Sequence, residues 1–91
     1  MGKKTVNYNR SSIDQLPNNK PAIYKIKTEA GNTNYIGIAK RYRVADRIKE
    51  HLSEIPGATV QIEQCSSIDE ARTKEQNLIK RNQPKYNQQG K

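Results

Sequence analysis

Apolar residues are sparse in this chain, and where they recur they do so with a period. Ala22, Tyr24 and Ile26 alternate with Ile23, Lys25 and Lys27, the two-residue repeat of a strand. A turn cluster follows at Glu29 to Thr33, where Gly31 and Asn32 tolerate positive φ. Asn34 to Ile38 then predicts a second short strand, and the two strands predict a hairpin. Stepping about 100° per residue puts Val44, Ile48, Leu52 and Ile55 on one stripe, which predicts a helix over 44–55 ended by Pro56-Gly57. Thr59 to Gln64 predicts a third strand, with Val60 and Ile62 on one face. Ser67-Ile68-Asp69-Glu70 has the hydroxyl and carboxylate spacing of a capping box. It opens a helix to about Arg81 with Ile68, Ala71, Leu78 and Ile79 as its stripe, and Pro84 prevents continuation.

Residues 1–11 are polar and lack periodicity, which predicts a flexible, weakly docked arm. Ser12 to Pro17 suits a helical turn capped by Ser12, and Asn18 to Pro21 a turn. The order strand, strand, helix, strand, helix describes an α+β domain: a small three-stranded sheet flanked by helices, with its core in 12–88. At 91 residues the chain is expected to form one domain over 1–91. Hydrophobic residues make up 32%, and all five aromatics are Tyr, so the core must be small and mostly aliphatic.

Charge sharpens the picture. The net charge of +8 is uneven: residues 1–27 carry six basic groups and one acid, 40–49 carry five and one, and 80–91 carry four and none. Residues 50–79 carry two basic and six acidic groups. Such segregation predicts a positive face, and polyanions suit one because neutralising phosphates releases counterions. A solvated basic surface would give the same composition. The single cysteine, Cys65, excludes an internal disulfide and a Cys-cluster metal site. No apolar run approaches the roughly 20 residues that span a bilayer. No secretory signal is visible, and Val6 stands where a myristoylation signal needs Ser or Thr. The expectation is a cytoplasmic protein without a membrane partner.

Several residues sit poorly in a purely structural account. Glu75 falls within the apolar stripe of the last helix, where a carboxylate is costly unless paired or bound to a cation. A salt bridge to a nearby Lys or Arg would also account for it. His51 lies in the stripe of the preceding helix, with Arg47 one turn before it; the pair suits a shared anionic ligand, or a packed His beside a snorkelling Arg. Tyr24 and Tyr35 stand on adjacent strands, where they can stack bases, transfer protons or simply pack. Lys40-Arg41-Tyr42-Arg43 is a basic loop with an interleaved aromatic, suited to phosphate contacts and base or sugar stacking, or to plain exposure.

These positions occur in a telling order. Ala22-Ile23-Tyr24, then ten residues, then Tyr35-Ile36-Gly37, resembles the paired tripeptides that name the GIY-YIG nuclease family. Arg47-x-x-x-His51 resembles that family's following helix, Glu75 its metal-binding glutamate, and Pro84-Lys85-Tyr86-Asn87 its closing motif. The resemblance spans residues 21–88. Two departures stand out: Ala22 replaces the first Gly, and Ile38 stands where some relatives carry Lys, leaving Lys40 as the nearest substitute.

The resemblance implies an antiparallel sheet and metal-dependent hydrolysis of phosphodiester bonds in nucleic acid, most readily DNA. It implies that Glu75 is the sole protein carboxylate on one Mg²⁺ or Mn²⁺ ion, which keeps most of its waters. Arg47 would neutralise charge on the phosphoryl oxygens, and Tyr24 or Tyr35 would activate or orient water. His51 would hydrogen-bond a tyrosine or the phosphate, and Asn87 would orient. Lys40, Arg41, Arg43 and Lys85 are the expected nucleic-acid contacts. Relatives commonly carry a separate targeting domain. The expectation here is therefore a homodimer, a targeting partner, or binding with little sequence preference. The competing class is a binding module that holds nucleic acid on the same fold without cutting it. A small-molecule enzyme is disfavoured, since no Gly-rich phosphate loop is present.

Overall fold

The hairpin predicted from the two alternating runs is the centre of the molecule. In the computed structural model, which describes residues 3–84 and 86, its strands are β2 (Ala22–Lys27) and β3 (Thr33–Ala39). They pair antiparallel, with Ala22 opposite Ala39, Tyr24 opposite Gly37 and Ile26 opposite Tyr35. The other edge of β2 is taken by β4 (Thr59–Gln64), also antiparallel, with Tyr24 opposite Ile62 and Ile26 opposite Val60. Flanked on both sides, β2 is the interior strand with the most buried residues: Ala22, Ile23, Tyr24 and Ile26 are all covered.

The sheet has four strands rather than three. Residues Lys3–Asn7, expected to form part of a loose arm, make β1, which pairs antiparallel with β4 from Lys3–Glu63 to Asn7–Thr59. The sheet order is β1-β4-β2-β3. The sequence pattern misses β1 because it is an edge strand. Only Val6 is half-buried, so there is no alternation to see, and the strand is defined by main-chain bonds to its neighbour. Its two lysines also suit an edge that must resist further pairing.

Alternation along the strands feeds two cores. On one face, Tyr24, Ile26, Val60 and Ile62 pack with Ile13, Leu16, Ile55 and the α2 (Val44–Glu50) residues Val44 and Ile48. On the other, Ile23, Ile36 and Cys65 pack with Ala71 of α3 (Ile68–Asn82), and Ile68, Leu78 and Ile79 lean against them. The helices therefore cover both faces of the sheet.

The helix ends follow local chemistry. The first helix, α1 (Arg10–Ile13), starts earlier than predicted, because Asn9 rather than Ser12 is the cap: Asn9 Oδ1 accepts the Ser12 N–H at 2.9 Å. Helix α2 ends at Glu50, not Ile55. His51 caps it, and the chain turns on itself with the Ile55 N–H donating to the His51 carbonyl at 2.8 Å, which keeps Ile55 in the core. In α3 the predicted Ser67 cap accepts the Glu70 N–H at 3.1 Å. The Glu70 carboxylate accepts from the Ser66 N–H at 2.8 Å, one residue before the usual capping-box partner. Gln83, left-handed at φ 45°, closes the helix.

Because β1 is paired along its length, removing residues 1–7 should destabilise the protein. Several ladder hydrogen bonds, each worth roughly 0.5–1.5 kcal/mol net, are lost and β4 becomes an edge. A drop of about 2 kcal/mol or more, read by urea unfolding, is expected. An unchanged midpoint would mean that the strand contributes no more than a loose arm.

Candidate active site on the hairpin and its flanking helices

The register of β2 against β3 brings the two tripeptides face to face. Tyr24 lies opposite Gly37, and Tyr35 is its diagonal neighbour on the same face. The rings are 6.1 Å apart between centroids. Gly37 makes this possible. A Cβ there would sit 2.6 Å from the Cζ and Oη atoms of Tyr24 and 2.8 Å from Cε2 of Tyr35. The second tripeptide thus needs its glycine for room rather than for backbone freedom. The first does not: Ala22 is fully buried, its methyl simply part of the core opposite Ala39.

His51 closes the cluster from the end of α2. Its Nε2 lies 2.8 Å from the Tyr24 hydroxyl, and its ring centroid is 4.7 Å from that of Tyr35. Burial, then the neighbouring Arg47 charge, lowers its pKa below the ordinary imidazole value. A neutral ring carries one N–H, so a single proton is shared across the Tyr24–His51 contact and the imidazole tautomer sets which side donates. That Nδ1 is buried without a hydrogen-bond partner; Glu54 Oε1, at 3.9 Å, is too distant. Tyr24 itself is completely buried, and burial foremost raises its pKa far above the usual phenol value. Its hydroxyl therefore stays protonated, hydrogen-bonded to the ring.

Tyr35 differs. It is half-buried, and its pKa is raised by burial first and by Glu75 second, while the Arg47 charge opposes the rise. Glu75 raises Tyr24 as well. The half-buried carboxylate on α3 therefore lies in the field of both phenols, although it reaches them from a different helix than His51 does. Arg47, on α2, acts on Tyr24, Tyr35 and His51 alike. Its guanidinium pairs with Glu50 at 3.2 Å, but both side chains are about half exposed, so the pair is weak and the guanidinium can turn outward.

Arg47 also borders a cleft of about 330 Å³ between α2, α3 and the end of β3. Its apolar floor includes Ile38 and Ile68, and its basic side chains are Lys40, Arg43, Arg47 and Arg72. Lys40 thus shares a cleft with Ile38, the position that departs from the family pattern. Arg72 went unnoticed in the sequence, yet it precedes Glu75 by three residues on the same helix, the spacing at which helical neighbours meet. Arg41 does not line the cleft; it lies over the Tyr42 ring at 5.3 Å. The loop is held by Asn18, also unnoticed: its carbonyl accepts the Tyr42 N–H at 2.7 Å and its Oδ1 accepts the Val44 N–H at 2.8 Å. Lys85 and Asn87 lie outside the described residues.

Two measurements check this geometry. His51 is the single histidine, so its ring resonances titrate alone in an NMR spectrum; their midpoint should fall below 6.5. The unfolded chain then binds the extra proton first. Stability from this group is complete above about pH 6.5 and declines as pH drops toward the folded-state value. A midpoint at or above 6.5 would contradict the Tyr24–His51 bond as drawn. Separately, Gly37→Ala should cost about 1–3 kcal/mol by forcing the two rings apart; a neutral substitution would show that they can yield.

Comparison with known proteins places the fold. No protein-family model matches the chain, and no curated protein does. Among solved structures, the chain is similar to the GIY-YIG N-terminal endonuclease domain of UvrC from Thermotoga maritima bound to magnesium, its catalytic divalent cation. The identity is 30% and the TM-score 0.67, covering 85% of this chain and 92% of that one. An asparagine-to-alanine point mutant of the same domain, bound to its catalytic divalent cation, matches at 29% identity and TM-score 0.70, over 85% and 91% of the two chains. A tyrosine-to-phenylalanine mutant matches at 28% identity and TM-score 0.67, over 85% and 92%. The two tripeptides meet across one hairpin, His51 closes on them from the end of α2, and the likeness covers 85% of this chain and 92% of that domain at 30% identity: this protein belongs to the GIY-YIG endonuclease-domain family.

Proposed function

We propose that this protein is a divalent-cation-dependent endonuclease that hydrolyses phosphodiester bonds in DNA. The observation that carries the proposal is the convergence of Tyr35, Arg47 and Glu75 around the buried Tyr24–His51 pair, beside a basic cleft. A half-buried carboxylate, two phenols, a neutral imidazole and a half-exposed guanidinium are groups that phosphodiester hydrolysis can use.

The donor set also says what kind of cation fits. Among the described residues no group of three His, Cys, Asp or Glu side chains is placed to hold a metal. A soft or fully caged ion is therefore a poor match. A hard cation such as Mg²⁺ or Mn²⁺, which keeps several waters and asks for one or two carboxylates, suits Glu75. Bound there, it supplies positive charge at the phosphate and cancels the Glu75 field that raises Tyr35.

The chain's own groups then divide the work. Tyr24 is sealed from solvent and committed to His51, so it positions rather than reacts. Tyr35 meets solvent, and although burial and Glu75 raise its pKa, Arg47 opposes that rise; it takes the proton of the attacking water or orients it. Arg47 leaves its surface partner Glu50 and presents its planar fork of donors to the phosphoryl oxygens as their charge grows. Lys40, Arg43 and Arg72 hold the strand in the cleft.

Incubation of supercoiled plasmid with Mg²⁺ or Mn²⁺ tests the proposal. Glu75→Gln should abolish nicking while leaving the fold intact; an active variant would remove the carboxylate from the reaction. Arg47→Ala should slow single-turnover cleavage by about 10² or more while changing affinity far less. If rate and affinity fall together, or if the unmodified protein cuts nothing, the domain is a binding module. With Tyr35 as base, the rate should climb about tenfold per pH unit below the phenol pKa, and Tyr35→Phe should flatten the profile.

A further inference from the structure

Tyr42 is the one large hydrophobic residue exposed among those described, with 65% of its surface open. It also occupies a backbone conformation that disfavours it. The Arg43 N–H donates to the Lys40 carbonyl at 3.0 Å, closing a four-residue turn, and Tyr42 stands at its third position with φ 69°. Arg41 before it has no positive φ, so this is a type II turn, whose third position favours Gly or Asn. A tyrosine there is strained, its ring gains little burial in return, and the turn is locked in place by Asn18. Folding alone would be served better by glycine. Strain kept at an exposed position points to a ligand for the side chain.

The surroundings identify that ligand. Arg41 lies over the ring, its guanidinium carbon 5.3 Å from the centroid, while Lys40 and Arg43, the two ends of the turn, line the basic cleft that Arg47 and Arg72 share. A π-face held rigidly between phosphate-binding cations suits a nucleobase whose backbone runs through the cleft. In a fully stacked duplex no base face is available to it. We propose that the 40–43 turn is a base-stacking platform: Tyr42 takes an unpaired base of the DNA strand whose phosphates occupy the Lys40–Arg43–Arg47–Arg72 cleft. The preferred substrate is then DNA with an unstacked base close to the cleavage point, rather than regular duplex. The proposal rests on the nuclease reading only for the nature of the ligand, a DNA strand.

The test is an affinity measurement in EDTA, where no cleavage occurs, paired with thermal unfolding. The probes are a DNA duplex containing one unpaired base and the same duplex fully paired. For Tyr42→Gly, affinity for the first should fall about tenfold, within the range of one base–aromatic stack, and affinity for the second should be unchanged. The melting temperature of the variant should hold or rise by a few degrees, because the strain is relieved. Tyr42→Phe, which keeps the ring, should bind both probes like the unmodified protein. The opposite signs matter, since a structural role for Tyr42 would lower stability and binding together. Equal losses on both probes, a lowered melting temperature, or a Phe variant as weak as the Gly variant would each overturn the platform. Unmodified protein that binds DNA without preferring the unpaired base would overturn the platform alone. Failure to bind either probe would overturn it together with the nuclease reading.

Discussion

A buried hydroxyl must find a partner, since leaving one unmet costs about 1–3 kcal/mol. Tyr24 is sealed completely within the sheet face, and the partner it finds is His51, 2.8 Å away at the end of α2. That bond ties the central strand to the helix covering it and fixes the rotation of α2 about its axis. With His51 pinned, Arg47 one turn earlier has to emerge at the rim of the same cluster, and Ile48 and Val44 have to face the core. The arrangement in turn demands space opposite Tyr24, which Gly37 provides. One hydrogen bond between a phenol and a neutral imidazole thus decides where the hairpin, the helix and the arginine stand relative to each other.

The second constraint is electrostatic, and it comes from the opposite side of the sheet. Helix α3 packs its stripe on the face away from Tyr24, yet Glu75 still lies in the field of both phenols. Two helices on two faces therefore contribute opposite charges to one site: a guanidinium that favours the phenolate and a carboxylate that opposes it. Burial is the largest effect on both phenols and is complete only at Tyr24, and this separates two chemically identical side chains into a sealed, His51-bound group and a solvent-facing one. Beyond the cluster, cations accumulate without compensating acids of equal strength. The pairs Arg43–Asp46 and Arg72–Asp69 are both 3.8 Å long and exposed, so they neutralise the cleft weakly.

Much of this was determined by the sequence alone. The alternation of Ala22 to Lys27 and the helical stripe from Val44 are period signals that burial on one face enforces, and Ser67 with Glu70 marks a helix start by local bonding. Glu75 and His51 stood out because each breaks such a period, Arg47 because it adjoins His51 one turn before it, and the tripeptide pair aligned them. Tertiary structure decided what periodicity cannot carry. Strand β1 exists by main-chain pairing with a segment more than fifty residues away, so its exposed side chains hold no trace of it. Helix α2 ends at Glu50, with His51 at its cap bonded to Tyr24, although 44–55 contains no Gly or Pro to mark the stop. The different fates of Tyr24 and Tyr35 depend on which ring the sheet and α2 seal. Arg72 joined the site, and Tyr42 took its left-handed turn under the hold of Asn18, only when distant segments met. Local pattern records what one residue needs of its neighbours in sequence; burial and field at a point in space belong to the assembled fold.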